Sequence, residues 1–339
     1  MATLKEIAKA AGVSTATVSN VINGNFKHVS REKIEQVQAI AERMGYIPNE
    51  AARSLAQRGS RLVAIIVQGS ENENIFLNPY NAAYIGALTM RLYRYGYYPL
   101  IRVTDDFQTI ERDIRGWNVA GALFNGSFNR HLRNIKALPP IPSVFTDCYF
   151  DLPGVNRVGL DDFQAGQIAG DYLAGKGHRR IGFIASQLPD SDVDAHRLRG
   201  LRHSLEARGL SVPDRWVVAC LELDAHDSLD ALLVGPDRPT AFFCSADKLA
   251  IIFTRIANAL GLRVPEDVSV LGFDDLPIAS LVAPRLTTIA QDMDLKATSA
   301  VDMLMRHIRD RSLPPERETL EVRLVERESV APRKQGCDF

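Results

Sequence analysis

Apolar residues at the start of the chain recur every three or four positions, the period of helices. Leu4, Ile7, Ala8 and Ala11 mark one helix. Thr3-Leu4-Lys5-Glu6 introduces it as a capping box, a hydroxyl followed three residues later by a carboxylate. Gly12 ends that helix, Val13 turns inward, and Ser14 caps a second whose apolar stripe is Val18, Val21 and Ile22. Asn23-Gly24 closes it. Ser30 is placed to cap a third helix, with Ile34, Val37, Ala41 and Met44 on one face and Gly45 at its end. Two short helices joined by a glycine turn and backed by a third predict a helix-turn-helix.

Beyond this head the pattern changes to short apolar runs alternating with helical stretches. Strands are expected at Leu62–Val67, Tyr97–Val103, Ala120–Phe124 and Ser143–Phe145, with a helix over Asn81–Tyr95 ending at Gly96. The rhythm restarts after Asp161. A helix runs to about Ala174, then strand Arg180–Ala185, helix Ala195–Arg208 and strand Trp216–Cys220. Strand Thr240–Cys244, helix Lys248–Leu260 and strand Val268–Gly272 follow. Such alternation predicts parallel sheets covered on both faces, and two similar series predict two lobes. No internal repeat or low-complexity stretch interrupts them.

The length of 339 residues allows two or three domains, and 46% hydrophobic with 24% charged residues is ordinary for a soluble globular chain. The four cysteines are scattered and none forms a CxxC pair, so a zinc ribbon or redox motif is not expected. The polar start lacks the apolar core of a secretory signal, and no apolar run approaches membrane-spanning length; the expectation is a cytoplasmic protein. Net charge is −1 overall, but residues 1–61 carry nine basic and five acidic groups. A basic head on an acidic body points toward a polyanion.

The second helix supplies chemistry for one. Its outer face, with Thr15, Ala16, Ser19 and Asn20, is short-chained and lets the backbone approach a DNA groove. Asn20 is suited to pair bidentately with adenine, Thr15 to a base or phosphate, and Ala16 to a thymine methyl. A small protein-interaction module remains the alternative on pattern alone.

The segment Leu4–Asn23, LKEIAKAAGVSTATVSNVIN, resembles the DNA-binding headpiece of the lactose-repressor (LacI/GalR) family, and Tyr46–Ala56, YIPNEAARSLA, resembles its hinge. The resemblance then runs along nearly the whole chain. It implies an all-α helix-turn-helix headpiece over 1–48 and a hinge helix and linker over 49–60. A two-lobed α/β domain of the type I periplasmic-binding-protein fold then spans 61–332, followed by a tail over 333–339. The chain should cross between lobes three times, near Asp161, near Leu286–Gln291 and near a C-terminal strand Glu321–Glu326. The resemblance implies that Leu55 from each of two subunits wedges into the minor groove, with Ala56 beside it. Asn49 and Arg53 are further hinge candidates. Physically, Pro48 ends the preceding stretch and Asn49 caps a helix of about eight residues, too short to persist alone. Anchoring the linker to the core is the other reading of Leu55. Lys5 and the hydroxyls of Ser14, Thr17 and Ser19 are expected mainly on phosphates, and Asn23 is a further DNA-contact candidate.

Ligands of open parallel sheets bind beyond the carboxyl ends of the strands. By resemblance, Arg197 and Asp274 take the places of the family's cleft arginine and aspartate. Tyr80, Asn81, Asp147, Asp247 and Gln291 fall at further cleft positions. An arginine donor facing a carboxylate acceptor suits vicinal hydroxyls or a polar ring; a salt bridge between lobes is the alternative. Some residues depart from the family pattern. Ala246-Asp247 stands where Asn-Asp is common, Glu222 or Leu223 where some members have an aromatic platform, and Gly69–Leu77 is long.

No enzyme is expected. Gly170–Gly177 nearly matches a P-loop but lacks the final Ser/Thr and falls on a helix rather than a strand-to-helix loop. No nucleophile–base pair, metal spacing or cofactor motif is present, so neither cofactor nor metal is expected. The reading is a homodimeric transcription regulator, taken as a repressor, that binds a pseudo-palindromic operator under control of a small effector, with a sugar or sugar derivative favoured. A purine or other corepressor is the alternative, and a cytoplasmic sugar-binding protein without gene control is the alternative of another class. The tail has no leucine heptads, so no coiled-coil tetramer is indicated.

Overall fold

In a computed structural model of the chain, the described residues are 2–46, 60–70, 74–104, 106–126, 141–149, 154–186, 192–219 and 226–333. They fall into two compact units, Met1–Ser60 and Arg61–Phe339.

The first unit holds α1 (Leu4–Ala11), α2 (Thr15–Ile22) and α3 (Arg31–Arg43). The capping box forms as expected. The Glu6 N–H donates to the Thr3 hydroxyl at 3.3 Å and the Thr3 N–H to the Glu6 carboxylate at 2.7 Å. Gly12 ends α1 with φ +63°, where a β-carbon would be strained. Ser14 caps α2, accepting from the Thr17 N–H at 3.1 Å. Ser30 stands at the start of α3 but makes no side-chain cap, so that expectation is corrected; extended backbone alone introduces the helix there. The core is Ile7, Ala8 and Ala11 against Val18, Val21, Val37, Ile40 and Ala41. Ile40 replaces Ile34 and Met44 as a buried member of α3; those two lie half-buried at the rim.

The second unit contains two six-stranded sheets. The first is built from β1 (Leu62–Gln68), β2 (Tyr98–Thr104), β3 (Gly121–Asn125), β4 (Ser143–Thr146), β5 (Asn156–Leu160) and β11 (Arg317–Leu320). Its order is β11-β5-β4-β3-β1-β2, all parallel. The second comprises β6 (Ile181–Ala185), β7 (Val217–Ala219), β8 (Ala241–Cys244), β9 (Ser269–Asp274), β10 (Thr287–Ala290) and β12 (Arg323–Val325). Its order is β12-β10-β9-β8-β6-β7, parallel except for the β12 edge. Val63–Val67 is buried without interruption, as a strand covered on both faces requires.

Helices α4 (Pro79–Arg94) and α5 (Phe107–Gly116) belong with the first sheet. Helices α6 (Asp162–Gly175), α7 (Asp192–Glu206), α8 (His226–Val234) and α9 (Asp247–Ala259) belong with the second. Helix α10 (Met293–Arg309) follows the second sheet in sequence but packs on α4, β3, β4 and β5 of the first lobe. The chain therefore passes between lobes at Asp161, at Gln291–Asp292 and at Glu321–Val322. The third crossing differs from expectation in one respect. The strand read at Glu321–Glu326 is the shorter β12 (Arg323–Val325), and an unread strand, β11 (Arg317–Leu320), precedes it in the other sheet.

Helices α6 and α7 make the most intimate helix pair, because Gly166 and Gly170 on one and Gly200 on the other leave room for backbone to meet backbone. The sequence pattern does not reveal β5, β10, β11, α5, α8 or α10.

Candidate functional site

The head presents α2 as its open face. Thr15 and Ala16 are exposed, while Ser19, Asn20 and Asn23 are half-buried. Several hydroxyls there are already engaged. Ser14 and Thr17 share a hydrogen bond of 2.9 Å, and Asn23 Nδ2 donates to Ser19 Oγ at 3.3 Å. These groups stiffen the two ends of the helix. The Asn20 amide has no side-chain hydrogen bond among the described residues, so both its donor and its acceptor are open to a base edge. Lys5 is exposed on α1. Asn49, Arg53, Leu55 and Ala56, the hinge candidates, lie outside the described residues, as do Glu222 and Leu223.

In the second unit a polar chain runs from one lobe to the other. Asp147 follows β4 and has φ +59°, a strained conformation for a non-glycine residue. One of its carboxylate oxygens accepts from the Tyr80 hydroxyl at 2.5 Å, and the other from Lys296 Nζ at 2.5 Å. Lys296 also donates to Tyr80 at 2.9 Å and to Gln291 Oε1 at 3.2 Å. Gln291 Nε2 in turn donates to Asp274 Oδ1 at 2.6 Å. Asp274 ends β9 with φ +116°. Tyr80, Asp147 and Lys296 come from the first lobe; Asp274 comes from the second, and Gln291 stands at the crossing.

Lys296 is the residue that sequence reasoning missed. Its side chain is 0% exposed, and its ammonium lies 5.3 and 5.2 Å from the Tyr80 and Tyr84 ring centroids. The signal available was a lysine on the apolar stripe of α10, beside Ala297, Ala300 and Val301. A buried ammonium survives only with partners of this kind.

Arg197, on α7, is buried over the Phe273 ring at 3.4 Å from its centroid. Its Nε donates to Asp162 at 2.7 Å and its Nη1 to the Ser245 carbonyl at 2.5 Å. Burial works against the cation, yet Asp162, Asp274 and Asp194 together hold the Arg197 pKa above its usual value. Burial raises the Asp162 carboxyl despite that arginine. The Tyr149 hydroxyl donates to Asp162 and, at 2.9 Å, to the Leu160 carbonyl. Arg197 thus pairs with Asp162 rather than directly with Asp274, which the sequence had set opposite it.

Asn81, in the first turn of α4, holds the Ile75 carbonyl at 3.3 Å and receives Asn125 Nδ2 at 3.2 Å. Asp247 differs from the other candidates. It is 0% exposed, and its oxygens accept the Leu276 N–H at 2.8 Å and the Thr288 hydroxyl at 2.6 Å. It ties the loop after β9 to β10. Burial, followed by the nearby Asp247 charge, pushes the Asp274 carboxyl up to about 8; Asp247 itself is pushed up to about 6, chiefly by burial.

The P-loop-like stretch is accounted for by packing. Gly170 would bring a β-carbon to 2.7 Å from Ser204 Oγ, and Lys176 pairs with Glu326 at 2.5 Å.

Comparison with known proteins agrees with this geometry. The family model for bacterial regulatory proteins of the lacI family matches residues 3–49, and that for a periplasmic binding protein-like domain matches residues 171–330. The chain is 30% identical to the ribose operon repressor of Haemophilus influenzae, covering 97% of this chain and 99% of that one. It is 31% identical to the HTH-type transcriptional repressor PurR of Escherichia coli, covering 98% and 97%. Among solved structures, the lac repressor dimer bound to operator and the anti-inducer ONPF superposes with a TM-score of 0.85 at 26% identity, over 97% of this chain and 99% of that one. Matched along nearly its whole length by such relatives, the chain belongs to the LacI family of bacterial regulatory proteins.

Proposed function

We propose that this protein is a dimeric transcriptional repressor whose operator affinity is set by a small polyhydroxylated effector bound between its lobes. The observation that carries the effector half is the chain Asp147–Lys296–Gln291–Asp274, which joins one lobe to the other through side chains alone. A ligand entering there exchanges its own hydroxyls for these bonds and so changes how the lobes meet. Burial raises the Asp274 pKa, and Gln291 is its one side-chain donor among the described residues, which leaves room for another. A sugar hydroxyl supplies one, while Arg197 and Lys296 offer donors to ring or hydroxyl oxygens. DNA and effector affinities are then coupled reciprocally, typically by about 1–3 kcal/mol.

On DNA, Thr15, Ala16 and Asn20 read base edges, and Lys5 with Ser14, Thr17, Ser19 and Asn23 positions the helix on phosphates. Leu55, flanked by Asn49, Arg53 and Ala56, kinks the minor groove between two half-sites. A two-fold dimer matches a pseudo-palindrome. The protein acts by binding rather than turnover and works in the cytoplasm; no described helix is long and apolar enough to cross a membrane. Its likeness to PurR supports a second reading, a non-sugar corepressor.

Selection from random duplexes, with and without a pooled metabolite extract, tests the proposal. A palindrome enriched only without extract identifies an inducer-released repressor, and one enriched only with extract a corepressor. Enrichment in neither condition overturns the DNA-binding reading.

A further inference from the structure

Arg180 immediately precedes β6 and Thr240 immediately precedes β8, whereas the cleft groups Ser245 and Asp274 lie at the far ends of β8 and β9. The base of the second lobe is therefore remote from the effector cleft. A cavity of about 420 Å³ opens at that base. Arg180, Arg238 and Arg333 line it together with Leu233, Leu260 and Leu262, and no carboxylate is among its lining residues.

Two of these arginines have no ion-pair partner among the described residues. Arg180 Nε is buried without a hydrogen-bond partner among the described residues. The carboxylate that feels Arg238, Asp267, is already paired with Arg263 at 2.8 Å. Arg333 is brought in by the C-terminal stretch, whose backbone is pinned to this lobe. The Arg333 N–H donates to the Lys176 carbonyl at 2.7 Å, and His178 Nε2 lies 3.1 Å from the Ala331 carbonyl.

We propose that this cavity is a second ligand site, specific for a phosphorylated small molecule. A planar guanidinium matches phosphate oxygens bidentately, and a buried guanidinium N–H seeks an acceptor. The volume falls within the range of small-molecule sites and exceeds the needs of a bare phosphate. The phosphate lies against Arg180 and Arg238, and the rest of the molecule rests on the three leucines. This site is independent of the effector cleft and of the operator reading.

The test titrates the full-length protein with sodium pyrophosphate at constant ionic strength, followed by calorimetry and by melting temperature. Saturable binding is expected, weakened at least about tenfold by Arg238→Glu and by Arg180→Met through loss of charge-assisted hydrogen bonds. If Arg180→Met does not fold, Arg238→Glu, in the 235–240 loop, decides alone. Absence of saturable binding overturns the proposal. So does binding that survives Arg238→Glu, or that is abolished by Arg197→Gln in the cleft or Lys5→Ala on the head instead.

Discussion

Gly166 on α6 packs so closely against Arg197 on α7 that a β-carbon added to it would stand 2.0 Å from the Arg197 carbonyl oxygen. The reciprocal contact is as tight: a β-carbon on Gly200 would stand 1.9 Å from the Phe163 carbonyl. Backbone atoms cannot swing aside as a flexible side chain can. The cleft arginine is therefore positioned by the absence of a side chain on the neighbouring helix.

Gly166→Ala is expected to force the two helices apart. Overpacking costs typically about 1–3 kcal/mol, and here the shift carries Arg197 away from Asp162 and Ser245. Urea unfolding should show the stability loss, and effector titration a weakened affinity. An unchanged midpoint together with unchanged effector binding would refute the packing account.

Lys296→Met keeps the apolar volume and removes the charge. Asp147 and Tyr80 then lose their common donor. Removing one member of a fully buried pair costs about 3–5 kcal/mol; the Asp147 side chain keeps 14% exposure, so a smaller loss is expected. Adding Asp147→Asn should recover part of it, since the two changes remove one shared interaction. Additive losses in a double-mutant cycle would show that the pair is not coupled.

The raised Asp274 pKa sets a direction for pH effects. A carboxyl whose folded pKa exceeds its unfolded value contributes stability that is fully present below about pH 4 and is lost as pH rises through about 8. Asp247 acts in the same direction up to about 6. A ligand hydroxyl donating to Asp274 favours the ionised form, so effector binding at pH 7 should release protons. Calorimetry in buffers of different ionisation enthalpy measures that release. Equal apparent enthalpies in all buffers would exclude it.

At the head, Asn20→Ala should relax preference at one symmetric base position, at about 1–3 kcal/mol per site. Leu55→Ala should weaken specific operator binding while leaving the melting curve of the body intact. Fluorescence anisotropy on operator and scrambled duplexes separates the two. An unaltered base-preference profile for the first variant, or unaltered operator affinity for the second, would remove the role assigned.

Sequence periodicity was most informative where one face alone is buried. Ile7, Ala8 and Ala11 on α1, and Val18 and Val21 on α2, could be read directly from their spacing. It was less informative where a helix is enclosed. Helix α10 buries Lys296, Ser299 and His307 among its apolar residues, so its polar positions disguise a core element. Capping was legible at Thr3 and Ser14 but not at Ser30, because residue type permits a cap and only geometry makes one. Tyr80, Asp147, Asp274 and Gln291 join one hydrogen-bonded chain, but only through Lys296, which no local pattern marked. Asp247 is held by Leu276 and Thr288 instead, contacts formed across 29 and 41 residues of chain that no local pattern encodes.

The three crossings also bear on how the molecule is made. The first lobe waits for α10 and β11, and the second for β12 and the stretch through Arg333. Nearly the whole chain must therefore leave the ribosome before either lobe can complete its core, which demands late closure of many long-range contacts. Messages truncated near residue 310 would yield two unfinished lobes rather than one sound one. The head is exempt from this delay, since its buried core lies wholly between Ile7 and Ala41.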